Sequence, residues 1–423
     1  MKLFARNTKV ALLAAALVGS VLPAHAQQVI RYWEFIDPAQ DNPRGRHLKD
    51  EIARFEQANP GTKVQVEVMP WSQLSPQLIQ AAAASRTPDV VRVLGWNMPE
   101  QVAAGSVAPM NEFTDKLPAT ARADFVVPWE GTVWNGKKMA IPMEIRTAVM
   151  YYRKDLLAKV SKPVPKTLDE AIETGKALSA LPNTQGLVLG LARAGDAVAL
   201  IEPFYSLLWA AGGDVVDANG KPAFNSPAGV KAVSKIKEMV DKGAMPRAAL
   251  AYTYEEVYSG VRAGTIAMNF LGSQRVVAAR DAGKLGENLA TAPLPGFSAD
   301  KPAPAHAFGW QLVIGKDSKN KALAYKFIEH LTTTEAQVRR AKATGELPTR
   351  KSAYKDPFFQ SPESAEVRSW VAYVGENPNV ARYPRRFTEM SQLIVDAIQQ
   401  VVLSNADPKQ ALDKAAERFN TLR

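Results

Sequence analysis

Between residues 29 and 94 the hydrophobic positions switch rhythm four times. Residues 29–35 are a short apolar and aromatic run. Leu48, Ile52 and Phe55 then recur at the spacing of one helix face, which Asn59-Pro60-Gly61 ends. Val64, Val66 and Val68 alternate with Lys63, Gln65 and Glu67, the period of a strand. Residues 74–85 read as an alanine-rich helix, and residues 88–94 return to strand. Strands separated by helices predict parallel pairing through right-handed crossovers, hence an α/β sheet with helices on both faces. Ligands of such sheets sit beyond the carboxyl ends of the strands. That rule gathers Trp33-Glu34-Phe35, Trp71-Ser72 and Gly95-Trp96-Asn97 around one mouth.

A second α/β unit follows. Tyr151-Tyr152 closes a strand, and Thr167-Leu168-Asp169-Glu170 is a capping box that opens a helix to about residue 180. Residues 186–191 and 265–270 predict strands, residues 202–211 a helix, and Ser226-Pro227 starts a helix running to Lys242. Thr253-Tyr254-Glu255-Glu256 is a further capping box. Pro293-Leu294-Pro295-Gly296 interrupts, residues 308–314 form a strand, and Ser318 opens a helix to Leu331. Beyond Gly345-Glu346-Leu347-Pro348 the pattern is all helical and ends on the face Leu412, Ala415, Phe419 and Leu422. No repeat or low-complexity linker separates the two units, so they should touch across a cleft.

The N-terminus carries a different message. Lys2 and Arg6 precede an apolar run, residues 10–22, too short to cross a bilayer, and Ala24-His25-Ala26 is a small-x-small cleavage site. Residues 1–26 therefore predict a secretory signal peptide, cleaved after Ala26. Without cysteine, disulfides, thiolate nucleophiles, thiolate metal sites and a lipid-modified N-terminal cysteine are excluded. The expected compartment is the periplasm. The net charge is +10, of which Lys2, Arg6 and Lys9 leave with the signal. The remaining basic residues are spread along the chain, which argues for a solvated surface and against nucleic acid.

Candidate chemistry is sparse on the catalytic side. Of the four histidines, His47, His306 and His330 survive maturation, and none is spaced as part of a metal cluster. No nucleophile elbow, phosphate loop or dinucleotide fingerprint appears, so neither a catalytic residue, a metal nor a cofactor is expected. Glu34 and Glu144 are the acid pair that a glycoside-processing enzyme would need. The aromatics say more. Trp33, Trp71 and Trp96, three of eight tryptophans, each stand at or just after a strand's carboxyl end. Indole faces stack on sugar rings, while Arg146 offers two parallel donors to hydroxyls or to an anion.

A set of fragments spanning the chain carries a resemblance. They include Ile30-Arg31-Tyr32-Trp33, Phe55-Glu56-Gln57-Ala58-Asn59-Pro60-Gly61 and Thr87-Pro88-Asp89-Val90-Val91. Further along stand Ile141-Pro142, Met150-Tyr151-Tyr152-Arg153-Lys154-Asp155-Leu156 and Glu202-Pro203-Phe204. Gly264-Thr265-Ile266-Ala267-Met268, Gly309-Trp310, Lys326-Phe327-Ile328-Glu329-His330-Leu331 and Leu347-Pro348-Thr349-Arg350 complete them. In order and spacing the chain resembles the extracellular solute-binding proteins of ABC importers, the carbohydrate group that includes maltose-binding and glycerol-3-phosphate-binding proteins.

The resemblance implies a two-lobed periplasmic binding protein fold of type II, each lobe a doubly wound sheet flanked by helices, with the ligand in the cleft. Lobe one would be residues 27–142 plus 297–347, and lobe two residues 143–296 plus 348–423. The hinge crossings would lie near 143–150, 292–296 and 347–351. It implies ligand contacts from Trp33, Glu34, Trp71, Trp96, Glu144, Arg146 and Phe204. It adds the turn Phe270, Gly272 and Ser273, then Gly309, Trp310 and Arg350. The tryptophan that maltose binders carry in the turn at 270–273 is absent, which argues against maltodextrin. The implied function is that of a monomeric receptor that closes on a mono- or oligosaccharide and delivers it to permease subunits in the membrane. A sugar phosphate or sulfonate is the alternative ligand, suggested by Arg146, Arg350 and the positive balance.

Overall fold

The computed structural model describes residues 27–422 apart from 128, 284, 377, 378 and 380, so the expected signal peptide lies outside the described residues. In chain order the strands are β1 (Gln28–Glu34), β2 (Thr62–Val68), β3 (Val90–Leu94), β4 (Val107–Ala108), the hairpin β5 (Val133–Trp134) and β6 (Lys137–Lys138), and β7 (Ile141–Pro142). There follow β8 (Arg146–Arg153), β9 (Gln185–Val188), β10 (Ile266–Gly272), β11 (Leu289–Ala292), β12 (Ala307–Phe308) and β13 (Trp310–Gly315). One sheet has the order β2-β1-β3-β13-β4, with β7 paired to β13. The other has the order β11-β8-β10-β9, with β12 paired to β8.

Local sequence explains the helices between them. Asn42 caps the helix Pro43–Ala58 through its side chain, and Pro43 supplies a fixed φ at the first turn. Both capping boxes form: Thr167 and Glu170 exchange side-chain and backbone bonds at the head of Leu168–Ser179, and Thr253 and Glu256 do so for Tyr254–Arg262. The helix expected at 202–211 begins earlier, at Val198, and runs to Ala210 with Pro203 inside it. It is buried almost all round, so no polar face marks its start. The tail is helical, as expected. Helices Ala365–Gly375, Phe387–Ser404 and Pro408–Thr421 pack on the second sheet's side, the first through Arg280–Glu366 and through Trp370 donating to Thr291.

Neither sheet is purely parallel. β1, β2 and β3 pair parallel, but β13 runs antiparallel to β3, with Trp310 opposite Leu94. β8 is antiparallel to both β10 and β11, whereas β9 and β10 are parallel. The cause is where the chain changes sheets. β1 and β3 end at the boundary between the sheets, and β13 starts there, so it can only run back along them.

The changes of sheet are local. Between Pro142 in β7 and Arg146 in β8 the chain passes from the first sheet to the second, and at Gly309 it returns between β12 and β13. The expected second crossing at 292–296 is displaced to Gly309. Ala292 still pairs with Met150, and Gly296 donates to the Lys166 carbonyl, so this segment stays with the second sheet. The two crossing segments lie against each other. A Cβ on Gly309 would fall 2.0 Å from the Glu144 carbonyl oxygen, which leaves room for glycine alone. A third segment joins them, with Ile145 bridged to Leu347 and Phe125 to Arg350.

Candidate functional site

The carboxyl ends of β1 and β3 and the starts of β8 and β13 meet at one place, and there a chain of buried charges runs from one sheet to the other. Arg92 sits in the middle of the otherwise apolar β3. Its guanidinium bonds Glu34 at the end of β1 at 3.2 Å and Glu144 in the crossing segment at 2.5 Å. Glu144 also accepts from Arg146 Nε. Glu346 in the third segment holds Arg44, at the head of the first helix, at 2.8 Å. Arg340 donates to the Met143 carbonyl oxygen at 2.7 Å. Burial charges a desolvation cost on every member, and mutual pairing offsets it.

Titration follows from this packing. Burial, with the like charge of Glu346 added, raises the Glu144 carboxyl, while Arg146 and Arg92 oppose the rise. Burial also works against charge on Glu346, but Arg44, a hydrogen bond from Glu144 and Arg92 hold it down to about 2. Glu202, in the helix Val198–Ala210, is pushed up to about 8 by burial despite Arg146 and the Gly272 N–H, so it is neutral at pH 7.

Beside this network lies a small cavity of about 30 Å³ whose walls come from both sheets. Phe35, Trp71 and Trp96 stand on the side of the first sheet, and Glu202, Tyr254 and Gln274 on the side of the second, with Arg146 and Trp310 at the crossings. Trp310 stacks near Phe35 with ring centroids 4.8 Å apart. Trp96 packs against Phe308, Tyr383 and Phe387, so its indole bridges the two halves. Trp71 reaches over to Gly195, where an added Cβ would meet its ring at 3.5 Å. Among the described residues, four buried polar atoms of this wall have no protein partner: Trp96 Nε1, Trp310 Nε1, Arg146 Nη2 and Gln274 Oε1.

Of the sequence-derived candidates, Trp71, Trp96, Arg146 and Trp310 line this cavity. Glu34 and Glu144 belong to the charge network behind it. Gly272 donates its N–H to Glu202, and Ser273 accepts from the Thr147 N–H, so that turn shapes the wall from behind. Gly309 forms the crossing itself. Trp33 lies elsewhere, 7% exposed in the core of the first sheet's side, with its Nε1 held by Glu67. It points to the opposite face of β1 from Glu34, because neighbours in a strand alternate. Phe204 and Phe270 are fully enclosed in the second core. Arg350 donates to the carbonyls of Thr332 and Ala121 and covers Phe125, away from the cavity.

The candidates named from sequence omitted Arg44, Arg92, Tyr254, Gln274 and Glu346. Arg92 had a signal, since a lone charge inside Val90-Val91-Arg92-Val93-Leu94 demands a buried partner. Gln274 directly follows the turn at 270–273. Arg44 and Glu346 meet only through the fold, 302 positions apart in the chain.

Comparison with known proteins agrees with this architecture. Residues 39–338 match the family model "Bacterial extracellular solute-binding protein". The galactooligosaccharide-binding protein of Bacillus subtilis is 25% identical over 387 residues, 89% of this chain and 87% of its own. The sn-glycerol-3-phosphate-binding periplasmic protein UgpB of Escherichia coli O1:K1 is 25% identical over 436 residues, 97% of this chain and 96% of its own. Among solved structures, maltose-bound MalE3 of T. maritima superposes with a TM-score of 0.80 at 26% identity, covering 93% of this chain and 100% of that one. The fold is therefore the two-lobed periplasmic binding protein fold, with one sheet in each lobe, and the chain belongs to the bacterial extracellular solute-binding protein family.

Proposed function

We propose that this protein is the periplasmic receptor of an ABC importer for a sugar or sugar derivative, with the cavity between the lobes as its binding site. The four unpartnered polar atoms around one aromatic-walled cavity carry this reading. A buried donor or acceptor left unmade is costly, and hydroxyls of a ring sandwiched by Trp71, Trp96 and Trp310 are groups of the right kind to satisfy them. The cavity has the volume of about one water molecule, so a sugar ring enters only if the lobes part. The three adjacent crossings, near 143–145, at 309 and near 347–350, are the hinge on which they do so.

In this reading residues 1–26 direct export and are cleaved after Ala26, and the mature protein works as a monomer. It releases its ligand to membrane permease subunits and makes or breaks no covalent bond. Glu34 and Glu144 are ill placed for glycoside chemistry, since both are spent on Arg92 and neither lines the cavity. A calorimetric screen of mono- and oligosaccharides, with small-angle scattering before and after ligand, tests the proposal. Micromolar binding with contraction of the envelope is the expected result. Reducing-end release from a polysaccharide by the pure protein, or binding with no change of shape, would overturn it.

A further inference from the structure

We infer that the ligand carries an acid group, a carboxylate or a phosphate on a sugar or polyol, and that Arg146 is the residue that receives it. The inference rests on the sugar-site reading above and makes it more specific.

Three observations lead there. First, the unsatisfied groups on the cavity wall are mostly donors: the indole N–H of Trp96, the indole N–H of Trp310 and an Arg146 Nη2 amine, against one acceptor on Gln274. A neutral sugar hydroxyl donates as well as accepts, and a wall built for it would mix both roles. A wall of donors fits an acceptor-rich group, which is what an oxyanion is.

Second, the buried charges do not cancel. Arg92, Arg146 and Arg340, with the partly exposed Arg44 at the edge, face Glu34, Glu144 and Glu346, so the cluster holds four guanidiniums against three carboxyls even when every carboxyl is ionised. Glu202, the remaining acid on the wall, is held neutral at pH 7 by burial and so adds no negative charge. Arg275, also on the wall, is already matched by the partly exposed Glu255. The cluster as a whole therefore carries one positive charge more than its carboxyls offset, and in a largely buried setting that surplus favours an anionic partner.

Third, the surplus is aimed at the cavity. Arg146 is 7% exposed, its Nε is engaged by Glu144, and its Nη2 has no partner among the described residues where it stands beside the cavity. A guanidinium with one edge tied and another free is set to hold an oxyanion.

The experiment is calorimetric titration of the mature protein with matched ligands: D-galactose, D-galacturonate and D-galactose 6-phosphate, and the corresponding glucose set. Expected is at least about a hundredfold tighter binding of one acidic member than of its neutral parent, in line with a charge-assisted bond to a buried partner. Arg146→Gln should lower that preference to under about tenfold, with far-UV circular dichroism confirming the variant's fold. The carboxylate and phosphate arms tell which acid is meant. Equal or tighter binding of the neutral parents by the wild-type protein would overturn the inference and leave the sugar reading intact. No binding of any member of either set would count against both, and the broader sugar screen then separates them.

Discussion

Arg92 Nη2 stands 2.5 Å from Glu144 Oε2, and both side chains are fully buried at the junction between the first sheet and the crossing segment. The same guanidinium holds Glu34, so one residue of β3 ties the end of β1 to the first crossing segment.

Replacing Arg92 should therefore be costly. Arg92→Met keeps the length but leaves Glu34 buried without its counter-ion and Glu144 with Arg146 alone, a loss of about 3–5 kcal/mol. Urea denaturation at pH 7 measures it. A loss under about 1 kcal/mol would show that the carboxyls find a proton or water instead.

Trp33 and Trp96 should separate stability from binding. Trp33→Ala opens the first core and is expected to cost about 3–5 kcal/mol of folding stability, with ligand affinity of the folded fraction unchanged. Trp96→Ala removes a cavity wall and should weaken binding by about 1–3 kcal/mol. Denaturation curves and titrations on both variants check the pair, and reversed phenotypes would move the site.

Gly309 offers a test of the proposed hinge. The methyl of Gly309→Ala would press on the Glu144 carbonyl and force the two crossing segments apart, at an expected cost of about 1–3 kcal/mol. Scattering of the ligand-free variant should show a more open envelope than wild type. An unchanged envelope and stability would mean the crossings yield freely.

His306 should make the fold sensitive to acid. It is buried, with Nδ1 at 2.9 Å from the Glu202 carbonyl oxygen and Nε2 at 2.9 Å from the Tyr383 hydroxyl, and burial lowers its pKa to about 4. The unfolded chain takes up that proton near 6.5 and the folded chain near 4, so stability is lost as pH falls through this window, by about 3 kcal/mol. Glu202, raised to about 8, acts in the opposite sense, losing stability as pH rises from 4.5 towards 8. Comparing the pH profiles of wild type and His306→Gln isolates the histidine, and parallel profiles would remove it as the cause.

Much of the framework was legible in the chain. Capping boxes at Thr167 and Thr253, the alternation at Val64–Val68 and the helix stop at Asn59-Pro60-Gly61 act within a few residues, so their outcome is local. Trp71 and Trp96 could be singled out because strand ends concentrate ligand contacts in α/β sheets, and Arg146 for its two parallel donors, whereas Trp310 came only from the family resemblance.

Other features depend on distances that no local pattern encodes. Which face of β1 Trp33 would take depends on the pleat's phase relative to both cores, and Tyr32 and Trp33, on opposite faces, are both apolar enough to be buried. The antiparallel entry of β13 and the crossing at Gly309 follow from where the chain returns after an excursion through the second lobe. The meeting of Arg44 with Glu346, and of Arg92 with Glu144, needs segments far apart in the chain to be packed together. Local propensity acts over a turn or a strand, whereas a buried charge is resolved only by whichever partner the whole packing brings within reach.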